Sequence, residues 1–172
     1  MKRIATSGRK GEDLMKRNSK LALVLCLAVL GTAIEARAEC QYVRGSIAET
    51  VIPSPYETFN RLLGNVTGVL NGAVTVSLIS TMPTVRSSDI FLTNGGDVLR
   101  AEGLPTRTPV PGEPGEFIAH VDLTVVGGSG KYEGAYGTME FDGLSHNAAV
   151  PPNSEFIYKG TVCGPNVKGD GN

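Results

Sequence analysis

Six side chains in the second half of this 172-residue sequence are of types that bind or move protons, and they recur at a spacing suited to strands. Arg100 and Glu102 alternate in DVLRAEGL, His120 and Asp122 in FIAHVDLTVV, and Tyr136 and Glu140 lie four apart in GAYGTMEFDG. Residues two or four apart in a strand share a face, so each segment presents its pair on one side. A carboxylate near a histidine or arginine in a half-apolar cavity has its pKa shifted by burial and serves as a general acid or base. The other face of FIAHVDLTVV is uniformly apolar, with Phe117, Ala119, Val121, Leu123 and Val125, and must bury against something. The mixed face therefore borders either a polar lumen, where the six are ligand-binding groups, or solvent. In the second case Phe117, Val121, Leu123, Met139 and Phe141 pack the interior and leave no room for a substrate.

Other chemistries lack their residues. The glycine-rich stretch VVGGSGKYEGAYGTMEF, 125–141, offers Gly128, Gly130 and Lys131 to a phosphate. A dinucleotide fingerprint needs a helix after its glycines, and a phosphate loop needs Ser or Thr after the lysine. Here strand-like sequence follows, and Tyr132 occupies the Ser/Thr position, so the stretch reads as a corner between two strands. His120 and His146 are too few and too poorly spaced for a histidine-based metal site, and no nucleophile elbow marks a hydrolase. No metal and no cofactor are expected.

The elements that carry these residues read as strands divided by Gly, Pro and Asn clusters, with no sustained helical period. QYVRGSIAE is a first strand, and TVIPSPYETFNRLLG a connecting loop with Pro53 and Pro55. NVTGVLNGAVTVSLIST is one bent strand or a hairpin turning at Asn71-Gly72. SSDIFLT and DVLRAEGL flank the turn Asn94–Gly96, PTRTPVPGEPGE is a proline-rich surface loop, and FIAHVDLTVV, GAYGTMEFDG and EFIYKGTVC are the last strands. Seven or eight short strands without helices predict an all-β sandwich or barrel. The absence of Trp and the placement of cysteines at the chain ends argue against an immunoglobulin sandwich, so a closed barrel is favoured.

The first forty residues are of another kind. Lys16, Arg17 and Lys20 precede the apolar run Leu21–Leu30, and Ala36-Arg37-Ala38 follows, the pattern of a secretory signal cleaved between Ala38 and Glu39. Met15 is a candidate for the true start. The expected organisation is an N-terminal extension and signal over 1–38, a barrel over 39–166 and a flexible tail over 167–172, in a secreted or periplasmic protein with no membrane span after cleavage. Of 16 Lys and Arg and 17 Asp and Glu, residues 1–38 hold eight and three, which leaves the remainder at a net charge of about −6. So acidic a domain is a poor partner for nucleic acid or an anionic membrane. Cleavage also removes Cys26, and in an oxidising compartment the remaining Cys40 and Cys163 are expected to form a disulfide joining the first and last strands.

VDLTVVGGSGKYEGAYGTMEF, 121–141, resembles the strand–corner–strand pattern of the dirigent proteins and the allene oxide cyclase barrels. The sequence is also similar to bacterial secreted members of that superfamily, in which a final strand such as EFIYKGTVC follows near the C-terminus. The motif covers about twenty residues, and the strand order is compatible over roughly 40–165. The resemblance implies an eight-stranded antiparallel barrel whose cavity holds a small apolar molecule and steers its cyclisation or coupling without a cofactor, often in a homo-oligomer. The catalytic carboxylates and arginines of the plant families find no residue-by-residue match here. The alternatives are a non-enzymatic structural or interaction barrel with a packed lumen and, more remotely, a lipocalin-like carrier.

Overall fold

A computed structural model describes residues 38–52, 60–81 and 84–168. The leader expected over 1–38, apart from Ala38, lies outside them, as do residues 169–172. The chain divides after Ala36 into two units, and every described element belongs to the second. These elements are β1 (Glu39–Ile52), β2 (Asn60–Val66), β3 (Gly72–Thr81), β4 (Thr84–Thr93), β5 (Val98–Pro109), β6 (Glu116–Ser129), β7 (Tyr136–His146) and β8 (Asn153–Gly164), with one 3-10 turn at Gly130–Tyr132. Each strand pairs antiparallel with the next and β8 returns to β1, closing an eight-stranded barrel. The expected all-β barrel is the fold of the protein. Closure pairs both edges that an open sheet would expose.

Alternation along the strands sets what lies inside. Ala119, Val121, Leu123 and Val125 of β6 are buried, as are Met139 and Phe141 of β7, Tyr158 and Val162 of β8, and Val43 and Ile47 of β1. The apolar face of β6 thus lines the interior and its mixed face looks outward. Antiparallel order gives the barrel two unlike ends. At one end the strand 3-10 turn lies over the interior, with Tyr132 fully buried. Leu70 joins Tyr132 there, and the Tyr158 hydroxyl accepts the Leu70 N–H at 2.9 Å and donates to the Thr67 carbonyl at 2.9 Å. We call this the closed end. Cys40 faces Cys163 there in the β1–β8 register, and the two form the expected disulfide.

The glycine corner is a structural device of the closed end. Gly130 has φ +65°, and a Cβ on it would stand 2.1 Å from Asp97 Oδ1. That carboxylate accepts the Lys131 N–H at 3.0 Å, tying the corner to the β4–β5 hairpin. The Lys131 ammonium lies 4.8 Å from the centre of the Tyr132 ring. A β-bulge between Arg100 and Ala101 in the β5–β6 register, which skips Val126, helps bend β6 toward the corner.

Several boundaries differ from the sequence expectation. β1 runs on to Ile52, and β2 begins at Asn60, inside the segment expected to be a loop. Isolated prolines at 53 and 55 bias their surroundings to loop, but Arg61–Val66 alternates exposed and buried residues and pairs on both sides. β5 continues through Pro105 to Pro109, into the expected surface loop. Its pairing with β4 stops at Gly103, so Leu104–Pro109 bond only to β6. Proline is tolerated in a strand where one side is unpaired. Val167, assigned to the tail, is buried at the closed end.

Candidate functional site

The open end of the barrel breaks the apolar rule followed by the closed end. Its inward positions include Glu49 on β1, Ser87 and Asp89 on β4, Ser145 on β7 and Ser154 on β8, all at most 5% exposed. Gly64 pairs with Glu49 across β1–β2, and a Cβ on Gly64 would lie 2.8 Å from Glu49 Cγ. The glycine therefore makes room for the carboxyl side chain inside the wall. Asp89 reaches the interior by the period-two alternation of β4, which also turns Ser87 and Phe91 inward and Ile90 and Leu92 outward. Along β4 the polar side chains near Ser87 face in and large apolar ones face out, the reverse of an ordinary half-buried strand.

These groups surround a cavity of about 30 Å³, room for about two water molecules. Leu62, Val76, Val121 and Phe156 form its apolar sides. Phe141 lies on its floor, within 6.0 to 6.2 Å of the ring centres of Phe91, Phe156 and Tyr158. That aromatic layer separates the cavity from the closed end. Leu62, Leu78, Arg107 and Ser154 also line a wider vestibule of about 310 Å³, bordered by Val51, Asn147 and Pro152, through which the cavity meets the mouth of the barrel. Along one side, Ser154 Oγ donates to Ser145 Oγ at 3.2 Å and Ser145 Oγ to Asn147 Oδ1 at 3.2 Å.

Burial controls the electrostatics. It pushes the Glu49 carboxyl up to about 8, with repulsion from Asp89 adding to the rise and attraction to Arg107 opposing it. Burial likewise pushes Asp89 up to about 7, opposed by the nearby Ser87 hydroxyl. That hydroxyl stands in no ordinary hydrogen-bond geometry, and both Ser87 Oγ and Asp89 Oδ2 lack a partner. A buried polar atom without a partner costs about 1–3 kcal/mol. Near neutral pH the two carboxyls therefore hold about one proton between them, and hydrogen-bonding capacity remains open in the pocket. An acid and a base of matched strength in one apolar cavity are equipped for proton transfer.

The six residues singled out from sequence lie elsewhere. Arg100, Glu102, Asp122 and Tyr136 are exposed, and His120 and Glu140 half-buried, all on the outer wall. They do not line the lumen, because the apolar faces of their strands occupy it. Two local groupings form among them. His120 Nδ1 bonds Asp142 at 2.7 Å and its Nε2 bonds Asp122 at 3.2 Å, while Glu140 pairs with Lys159 at 2.6 Å. Glu102 and Asp122 border a groove between β4 and β6, and Asp122 and Glu140 border a second one with Tyr42 and Lys159. Arg100 and Tyr136 join neither grouping. Glu49 closed the first predicted strand and Asp89 sat in a strand whose faces were not separated, so neither was considered. The signal available was the inward set of β4, Ser87, Asp89, Phe91 and Thr93, which carries the strand's only carboxyl once Phe91 is placed inside.

No metal-binding group of three or more His, Cys, Asp or Glu occurs among the described residues, and no helix among them is long and apolar enough to cross a membrane. No family model matches the chain, and neither a curated protein nor a solved structure matches it.

Proposed function

We propose that this protein is a secreted barrel of the allene oxide cyclase and dirigent-like kind that takes a small, largely apolar molecule into its open end. There it holds the molecule, or steers a cyclisation or coupling, without a cofactor. The observation that carries this reading is the blind pocket with apolar sides, an aromatic floor and two buried carboxyls, Glu49 and Asp89, with polar atoms left unpartnered. A protein interior selected only for stability fills such positions with apolar residues, since buried carboxyls raise the folding cost. The vestibule is at the lower end of the size range of small-molecule sites. Secretion is supported by the leader-like N-terminus and by the Cys40–Cys163 disulfide, which persists in oxidising compartments.

In this reading the pocket shape selects and folds the substrate. The protonated member of the Glu49–Asp89 pair donates to developing negative charge and the ionised member receives a proton. Arg107 at the rim stabilises the ionised form. A second reading, a structural barrel with a packed lumen, is favoured by the filled half below Phe141 and by the small inner cavity.

Titration with 1-octanol, followed by native mass spectrometry and calorimetry, separates the two. Saturable one-to-one binding that is weakened at least tenfold by Leu62→Trp, which fills the neck shared by cavity and vestibule, is expected. Absence of saturable binding, or binding indifferent to Leu62→Trp in a variant that still melts cooperatively, leaves the packed-barrel reading standing.

A further inference from the structure

The ligand's polar end is readable from the pocket wall. Three groups face the inner cavity with hydrogen-bonding capacity unused or shared: the carboxyls of Glu49 from β1 and Asp89 from β4, and Ser87 Oγ. Asp89 Oδ2 and Ser87 Oγ have no partner, and both residues are under 5% exposed. Apart from Arg107 of β5, no other titratable group among the described residues lines the cavity. β2, β3, β6, β7 and β8 contribute only apolar side chains and Ser154. The Glu116–His146 pair at the start of β6 and the end of β7 lines neither the cavity nor the vestibule.

We propose, on the reading that the lumen is a ligand site, that the pocket takes a primary alkylammonium: an apolar chain in the vestibule and an ammonium seated among Glu49, Asp89 and Ser87. The argument is one of donors, charge and size. A primary ammonium carries three N–H donors, and the cavity wall offers three acceptor groups. A purely apolar ligand displaces water and leaves these atoms unpaired, and an anionic one adds negative charge beside an ionised carboxyl. A hydroxyl supplies one donor. The cavity of about 30 Å³ admits a head group the size of an ammonium and little more. Arg107 opposes a cation, but it is exposed at the rim, where water screens it. The carboxyls act across a low-dielectric pocket, so their attraction prevails.

Seating the ammonium converts the pair from one shared proton toward two carboxylates, and the proton leaves to solvent. Alkylamines stay protonated throughout the range in which Glu49 and Asp89 titrate, so any pH dependence of binding arises in the protein. Among the described residues, Glu49 and Asp89 are the carboxyls that face the cavity.

The test is calorimetry of n-octylammonium, 1-octanol and octanoate at pH 6 and pH 8.5, repeated in phosphate and Tris buffers, whose ionisation heats differ. The expected outcome is octylammonium binding at least tenfold tighter than 1-octanol at pH 8.5, with the advantage shrinking at pH 6 and about one proton released near pH 7. Glu49→Gln and Asp89→Asn should each erase most of the preference for octylammonium over 1-octanol. If 1-octanol binds as tightly as octylammonium at pH 8.5, or if binding takes up a proton, the ammonium assignment is wrong and the lumen reading survives. Preference unchanged in both variants also overturns it, because the amine then sits elsewhere. If none of the three binds, the lumenal ligand site itself fails.

Discussion

The two ends of the barrel are built from the same eight strands and the same alternation, yet they treat the interior in opposite ways. At the closed end Tyr132, Leu70, Leu99, Val43 and Val162 fill the space, and Tyr158 satisfies its hydroxyl on two backbone groups. At the open end the same inward positions carry Glu49, Ser87 and Asp89, and two of their polar atoms have no partner. A closed eight-stranded barrel has an interior just wide enough for side chains or one small ligand. This molecule fills the lower half with side chains and leaves a small cavity beside buried carboxyls in the upper half, the place of the ligand in the proposed reading. Of the buried side-chain polar atoms without a partner among the described residues, two, Ser87 Oγ and Asp89 Oδ2, lie at the open end and one, the Tyr132 hydroxyl, at the disulfide-bonded end.

Truncating the plug gives the largest expected effect. Tyr132→Ala removes a fully buried ring from the closed end and is expected to cost about 3–5 kcal/mol, read by denaturant unfolding. Tyr132→Phe sharpens the comparison, because the Tyr132 hydroxyl has no partner. Its removal should change stability by less than about 1 kcal/mol or raise it. A loss above 2 kcal/mol in Tyr132→Phe would show that the closed end also holds a polar network, and the contrast between the ends would collapse.

The open end is expected to respond in the opposite direction. Glu49 and Asp89 have folded pKa values near 8 and 7, above those of unfolded carboxyls. The folded state then binds more protons than the unfolded state between about pH 4 and pH 8. The contribution of this pair to stability is therefore fully present below the unfolded pKa and is lost as pH rises through the folded values. Each shift of about three units sets an upper figure on the order of 4 kcal/mol per carboxyl. Glu49→Gln and Asp89→Asn should each raise stability at pH 8.5 by about 2 kcal/mol and flatten the decline between pH 5 and pH 8.5, measured by urea unfolding. A destabilisation of either variant at pH 8.5 would mean that the carboxyls are held by interactions stronger than their burial cost.

How much of this was legible in the sequence differs between the same two regions. The closed end was, because it rests on local chemistry: glycines in VVGGSGKYEGAYG that only a corner explains, and two cysteines with no other partners. The open end was not. Glu49 and Asp89 come from strands separated by two others around the barrel, and only closure brings them to one cavity. The choice left open between lumen and solvent for the mixed faces was settled by the same closure. In β6 the mixed set His120 and Asp122 was the more suggestive chemically, but the apolar set is larger and wins the interior. In β4 the apolar residues Ile90 and Leu92 point outward instead, so amphipathic pattern alone misleads there. Gly64 was read as part of a loop, whereas its missing Cβ is what allows a carboxyl to sit inside the wall.

The smallest expected effect belongs to the outer wall, which separates chemical suggestiveness from position. The hydrogen bond to Asp142 raises the His120 pKa, with partial desolvation opposing it and Asp122 adding to the rise. A raised folded value means that the pair stabilises below the unfolded histidine pKa and ceases to do so as pH rises through the folded one. The imidazole is 37% exposed and its carboxylate partners 79% and 56%, so solvent screens most of that gain. His120→Ala should therefore cost no more than about 0.5 kcal/mol at pH 5.5 and nothing measurable at pH 8.5, and should leave octanol and octylammonium binding unchanged. Urea unfolding at the two pH values and calorimetry with both ligands check this. A tenfold loss of binding in His120→Ala would move the functional site to the outer wall, because no side chain there reaches the cavity between Glu49 and Asp89 except through the strand itself.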